Sequence, residues 1–416
     1  MKIHQKAHKF KETLEAFLGD LLRGMGRVRQ KFVHQFLFGL LKSKSCRLSQ
    51  IGRALGEKIS LKKTIERLSR NLGAAGLWEE LVERVSKEGG KRVWRDDYLI
   101  VDLSEVVKKY GRKMEYLGTV RDGSEKGKKL EKGYWSLFVV GTDGEVSKTV
   151  PLYHEIYSTE APEFVSENEK IKKALEVVKK GVGENGIVVI DRGGDRGELL
   201  EELTRQGWRF VVRSVGKRMV EWKGKRILVK ELARKVPLSG KIKHVWLRRT
   251  GKVEKEYWYG WVRIKVKGCG AAKLVVVRGE GGEELLLLTN LGRKDGKRWV
   301  EKVVKGYLIR GRVEEEIRHI KQSYGEEGLM VRGYERIKGL AGLVLLASYF
   351  TLVAIGRDLQ RQVVFEWVVS LSQRIYGLKR FPAYALADGI SVLLRNTRFS
   401  MAKKKTINEL PMLPFF

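Results

Sequence analysis

Cysteine is nearly absent: Cys46 and Cys269 are the only two in 416 residues. They lie far apart and lack CxxC spacing, which argues against a disulfide framework or a zinc site and points to a reducing cytoplasm. The stretch Met1 to Lys11 is polar and basic, without an apolar core, so no secretory signal is expected there. Internal repeats are missing too, which excludes a solenoid. Long apolar runs are scarce. Leu340 to Ile355 comes closest, but it falls short of the ~20 residues that span a bilayer, and Ser348 and Thr351 interrupt it. It reads as a buried core helix.

Acidic residues are the other shortage. Fifty Asp and Glu face 84 Lys and Arg, a net charge of +34. An excess of that size repels itself and calls for a polyanionic partner. Nucleic acid comes first, because each phosphate neutralised releases counterions; an anionic membrane surface is the alternative. A hydrophobic content of 43% belongs to a globular chain, and the length allows more than one domain.

Residues 1–92 read as a helical domain. Phe10, Leu14, Phe17, Leu18, Leu21 and Leu22 recur at helical spacing, as do Ile51, Leu55, Ile65 and Leu68, and Ser60 is placed to cap a helix. Interleaved cations, among them Lys62, Lys63 and Arg67, suggest that this domain binds DNA. From Tyr98 the pattern changes. Tyr98–Leu103, Tyr134–Gly141, Ser147–Tyr153, Ile187–Asp191 and Phe210–Arg213 read as strands, with helices over Glu167–Lys180 and Gly197–Arg205. This is the first part of a mixed α/β core, over 93–215. Short β-rich runs separated by glycines fill 216–300, an expected β-rich insertion; helical periodicity then returns for the second part of the core, 301–360, and a C-terminal helical region and tail, 361–416.

Two carboxylates stand out against this background. Asp102 lies inside an apolar strand, where a charge costs several kcal/mol unless it is compensated. Asp191 ends a second apolar strand just before Gly193-Gly194, and ligands of open α/β sheets bind at the carboxyl ends of strands. Either one alone is consistent with a turn or loop cap; a shared cation explains both. A third carboxylate is available after the insertion. On one helix, Tyr307, Arg310, Glu314 and Lys321 fall within an arc of roughly 60° at about 100° per residue, with Glu314 at the edge of the face carrying Val313, Ile317 and Ile320. A carboxylate suits a hard metal such as Mg²⁺ and the two cations suit phosphates. A surface salt-bridge stripe is the plainer reading, though it leaves the tyrosine unexplained.

The spacing Tyr307-x2-Arg310-x3-Glu314-x6-Lys321 resembles the signature of DDE transposases from bacterial and archaeal insertion sequences, in their large cut-and-paste branch. Asp102-Leu-Ser, Val189-Ile-Asp191-Arg-Gly, Val211-Val-Arg213 and Val331-Arg-Gly-Tyr-Glu-Arg-Ile-Lys are similar to that branch, and Ser60-Leu-Lys-Lys-Thr-Ile-Glu-Arg to its helical N-terminal domain. The resemblance spans roughly residues 45–400. One position departs from it: Gly311 stands where the family commonly has Trp, which bears on local helix packing.

The resemblance implies a ribonuclease H-like catalytic fold interrupted by the β insertion, with Asp102, Asp191 and Glu314 holding two Mg²⁺ ions, Mn²⁺ substituting. It implies cleavage of insertion-sequence ends and transfer of the freed 3′-hydroxyl to target DNA, through a hairpin at the element end. Tyr307, Arg310, Lys321 and Arg213 would hold DNA near that end, and Trp258 or Trp261 would stack on an extruded base, against the plainer reading of a β-core tryptophan. The expected partners are double-stranded DNA with terminal inverted repeats, target DNA and a second copy of the chain in a DNA-bound synaptic complex, in the cytoplasm at the nucleoid and without a membrane. The alternatives are a domesticated DNA-binding protein, which should have lost an acidic ligand, and another two-metal nuclease of the same fold, which should lack the Tyr-Arg-Glu-Lys stripe.

Overall fold

The computed structural model describes residues 3–121, 130–248, 251–355, 362–372 and 382–399. The chain opens with helices α1 (Ile3–Leu21), α2 (Arg27–Ser43), α3 (Leu48–Leu55), α4 (Leu61–Leu72) and α5 (Leu77–Gly90). There follow β1 (Tyr98–Val107), β2 (Gly118–Arg121), β3 (Leu130–Thr142), β4 (Thr149–Tyr157), α6 (Glu167–Val182), β5 (Ile187–Ile190), α7 (Gly197–Arg205) and β6 (Phe210–Arg213). Next come β7 (Met219–Trp222), β8 (Lys225–Leu228), α8 (Val229–Lys235), β9 (Gly240–Arg248), β10 (Gly251–Val266), β11 (Gly270–Gly279) and β12 (Glu284–Thr289). The chain closes with α9 (Trp299–Leu308), α10 (Arg310–Ser323), α11 (Tyr334–Tyr349), a π-helical turn (Phe350–Ile355), α12 (Gln362–Ser370) and α13 (Pro382–Leu394).

Two compact units share this chain, and neither is continuous in sequence. One takes Met1–Val85, Val106–Tyr134 and His319–Phe416; the other takes Ser86–Glu105 and Trp135–Arg318.

In the first unit the N-terminal helices pack with the C-terminal ones, α2 against α3, α11 and α13. Phe10 and Phe17 meet Phe350, with ring centroids 5.8 and 5.1 Å apart. The apolar run Leu340 to Ile355 lies at the centre of this unit: it is long and apolar enough to cross a membrane when counted with Tyr334–Gly339, yet its most apolar window is 94% buried within the protein. Apolar side chains on every face of a helix require protein on every face. Ser60 caps α4, its Oγ accepting from the Lys63 amide at 3.5 Å.

The described strands pair in the order β2-β3-β1-β5-β6-β12-β11-β10-β7-β8, with β4 also on β3 and β9 on β10, most of them in the second unit. β5 is parallel to β1 and to β6, whereas β4 is antiparallel to β3. The order β4-β3-β1-β5-β6 is that of a ribonuclease H-like sheet. Leu99, Ile100 and Val101 of β1 and all four residues of β5 are fully buried, which is why these central strands read as unbroken apolar runs. Expected strands and helices of the core all form. The strands of 216–300 form as well, but β12 pairs antiparallel with β6, so they lengthen the core sheet edge to edge. The short β2, β7, β8 and α8 had no legible signal.

Candidate active site

Asp102 and Asp191 are placed by strand register. Val101 of β1 pairs with Ile190 of β5, so the next residue of β1 is Asp102 and the first residue after β5 is Asp191. Neighbouring strands lie about 4.8 Å apart, so the two positions are close along the sheet. Asp191 leaves the sheet at once: its Oδ1 accepts from the Gly193 amide at 2.7 Å and caps a single 3₁₀ turn, Arg192–Gly194. Gly194 must be glycine here, because a Cβ would stand 2.6 Å from Ile190 Cγ2.

Glu314 arrives from the helical side. Arg310 Nη1 donates to Asp102 Oδ1 at 3.2 Å and pairs with Glu314 Oε1 at 2.5 Å. One guanidinium nitrogen therefore joins the strand carboxylate to the helix carboxylate. Burial pulls the Arg310 pKa down, but the charges of Glu314, Tyr307, Asp102 and Asp191 more than offset that and hold it above its ordinary value. All three acidic residues thus act on this one cation. Among the described residues no three His, Cys, Asp or Glu side chains are grouped closely enough to hold a metal ion. Arg310 occupies the place between Asp102 and Glu314. The donor set, three hard carboxylates, is of the kind that takes Mg²⁺ or Mn²⁺.

The Tyr-Arg-Glu-Lys stripe is not carried by a single helix. α9 ends at Leu308 and α10 begins at Arg310, with Ile309 between them at φ −70 and ψ −16. Gly311, a weak helix former, sits just past the break. Tyr307 is buried at the end of α9, and Arg213 Nη1 donates to its hydroxyl at 3.2 Å. The guanidinium carbons of Arg213 and Arg310 lie 5.7 and 5.9 Å from the Tyr307 ring centroid. Lys321 lies beyond the unit boundary, in the last turn of α10, and is buried. Lys321 is therefore not a surface cation. The side chain of Ile320 lies outside the described residues.

Trp261 packs edge-on against Trp299 at 5.0 Å, the β-core arrangement. Trp258, three residues earlier on β10 and so on the opposite face, lies half-buried with Lys241 Nζ 5.4 Å from its ring centroid. In α4, Lys62 and Lys63 are exposed, but Arg67 is engaged inside the unit, with Nη2 on Glu57 Oε1 at 2.7 Å and Nη1 on Gln35. An arginine held by a bidentate carboxylate does not present its charge to a phosphate. Sequence reading missed two supports. Asp195 accepts from Ser214 Oγ at 2.7 Å and pairs with Arg218, tying the turn after Asp191 to the segment after Arg213. Gly306 presses α9 onto β1, where a Cβ would stand 2.3 Å from the Tyr98 ring.

Asp102 within β1 and Asp191 just after β5, on neighbouring parallel strands in a sheet of this order, are features of a ribonuclease H-like domain. The chain matches the family described as Transposase DDE domain over residues 123–350, more than half its length, and it belongs to that family. Asp191 and Glu314 fall inside the matched segment and Asp102 precedes it. Among solved structures it is similar to a piggyBac transposase synaptic complex with hairpin DNA, at 11% identity and a TM-score of 0.41, over 96% of this chain and 84% of that one. No curated protein matches the chain.

Proposed function

We propose that this DDE transposase cuts the ends of an insertion sequence and joins them to target DNA at a site formed by Asp102, Asp191 and Glu314. The observation that carries the reading is the convergence of Asp102 and Glu314 on one Arg310 nitrogen, with Asp191 directly after the adjoining strand. The three carboxylates would hold a pair of Mg²⁺ ions, which supply, when bound, a lowered pKa for the attacking water or 3′-hydroxyl and neutralisation of the phosphoryl group. Arg310 then gives up at least one carboxylate. Arg213 and Arg310, 5.7 and 5.9 Å from the Tyr307 ring centroid, would supply two guanidinium groups suited to phosphate oxygens. In the motif reading this clamp grips a DNA end that closes into a hairpin. The proposed substrate is duplex DNA with terminal inverted repeats, bound by two copies of the chain in the cytoplasm.

The test uses a duplex carrying the inverted repeats that flank the gene. Asp102→Asn and Asp191→Asn should each abolish Mg²⁺-dependent nicking and leave DNA affinity within about twofold, since neither aspartate contributes positive charge to the phosphate contacts. Cleavage that survives either substitution would remove these residues from the chemistry. A non-catalytic DNA-binding protein of the same fold should have lost an acidic residue, and all three are present.

A further inference from the structure

We infer that the connection between β1 and β2, residues 108–117, is a second DNA-binding element, with a pocket that takes backbone phosphates and an exposed tyrosine beside it. The inference rests on the proposed DNA substrate but not on the catalytic carboxylates. The pocket measures about 400 Å³ and is lined by Lys108, Lys109, Arg112 and Lys132 together with Met114 and Leu117. Three exposed cations, Lys109, Arg112 and Lys132, beside two apolar side chains match a phosphate and its deoxyribose. Lys109, Arg112 and Lys132 are exposed, as is Lys113 next to them. Tyr110, between these cations, is 94% exposed. A large aromatic ring left in water among cations is the arrangement that stacks on bases while the cations follow the backbone.

The loop is held in shape from both ends. The Lys108 amide donates to Lys132 O at 2.6 Å and its Nζ to Leu329 O at 2.9 Å. At the other end the Glu115 amide donates to Arg332 O at 2.9 Å, and Glu115 Oε2 accepts from the Tyr334 amide at 2.7 Å. Tyr116 meets the Tyr334 ring edge-on at 5.4 Å. Gly133, beneath the loop on β3, has room for no side chain, since a Cβ would stand 2.5 Å from Val106 O. Anchored in this way, the middle of the loop presents its cations and ring with little ordering left to be done on binding, which favours affinity.

The full-length protein is titrated by fluorescence anisotropy, in EDTA, with a labelled duplex bearing a short unpaired 3′ tail, across a series of salt concentrations. The variant Lys109→Ala/Arg112→Ala/Lys132→Ala should lose about two to three units of the log–log salt slope, one for each phosphate contact removed. Tyr110→Ala should weaken binding of the tailed probe about tenfold and leave the blunt duplex unaffected. The mutated side chains are exposed, and circular dichroism checks that each variant folds. Neutralising Lys225, Arg226 and Lys230, exposed cations of the other unit, should change the slope by less. An unchanged slope in the loop variant, or an equal drop in the control, overturns the site. No DNA binding by the unaltered protein would instead remove the transposase reading beneath it, and Asp102→Asn separates the two because it should bind without cutting.

Discussion

Arg310 pairs with Asp102 and Glu314 in the folded chain; if these carboxylates hold the proposed divalent ions, it competes with them. Arg310→Ala should therefore destabilise the metal-free protein by about 3 kcal/mol, the usual cost of stranding part-buried charges. Added Mg²⁺ should raise the melting temperature of this variant more than that of the unaltered protein; equal shifts would show that the ions bind elsewhere. Lys321→Ala tests the far end of the stripe. Because Lys321 is buried, it should cost stability as well as activity, and a normal melting curve would contradict its interior placement. His34, buried in α2, is held by that burial at a pKa of about 4. Its ordinary value is near 6.5, so between these pH values the unfolded chain binds the extra proton. His34 then contributes stability that is complete above about pH 6.5 and lost as pH falls through 4, up to about 3 kcal/mol. His34→Gln should flatten that part of the stability–pH curve, as thermal melts from pH 7 to 4 would reveal.

At the scale of elements, the site depends on how closely helices approach the sheet and one another. Gly306 lets α9 lie on Tyr98 of β1, and α9 carries Tyr307, the ring beside Arg213 and Arg310. Gly306→Ala should push α9 outward, costing about 1–3 kcal/mol of stability, and should lower cleavage more than DNA binding because the arginine pair shifts away from the carboxylates. Full activity in this variant would mean that α9 does not set the site. Helices α5 and α6 meet through a similar pair: a Cβ on Gly90 would stand 2.2 Å from Gly181 O, and one on Gly181 2.3 Å from Ser86 O. Only backbone fits between them, so neither helix can take a larger residue without separating.

For the whole molecule, charge is the controlling quantity. Two chains of +34 repel until phosphates neutralise them. The proposed pairing of two copies is therefore expected only on DNA, monomeric before and two chains per pair of ends after. Light scattering with and without an end-bearing duplex reads this directly, and a tight dimer in DNA-free buffer at moderate salt would sink it. The division into two discontinuous units has its own consequence. Helices from both ends of the sequence complete one hydrophobic core, so removing either end should unfold that unit rather than detach a module.

Much of this was determined by local sequence. Leu99–Val101 and Ile187–Ile190 are buried strand segments because runs of apolar residues have nowhere else to go, and the charges that follow them, Asp102 and Asp191, stand out as the candidate site for the same reason. The Tyr307, Arg310 and Glu314 stripe was legible because helical spacing survives the small break at Ile309. What local sequence could not decide were contacts between residues distant along the chain. Whether a cation is exposed or internal depends on what packs over it, so Arg67 and Lys321 look like Lys62 and Lys63 until Glu57 and Gln35, or the interior of the unit, are in place. Whether a β-rich segment stands apart or extends a sheet depends on the edge it meets, and β12 found β6. Only the tertiary structure brought Asp102 and Glu314 to one guanidinium, because strand register and helix docking set that distance and no spacing in the sequence encodes it.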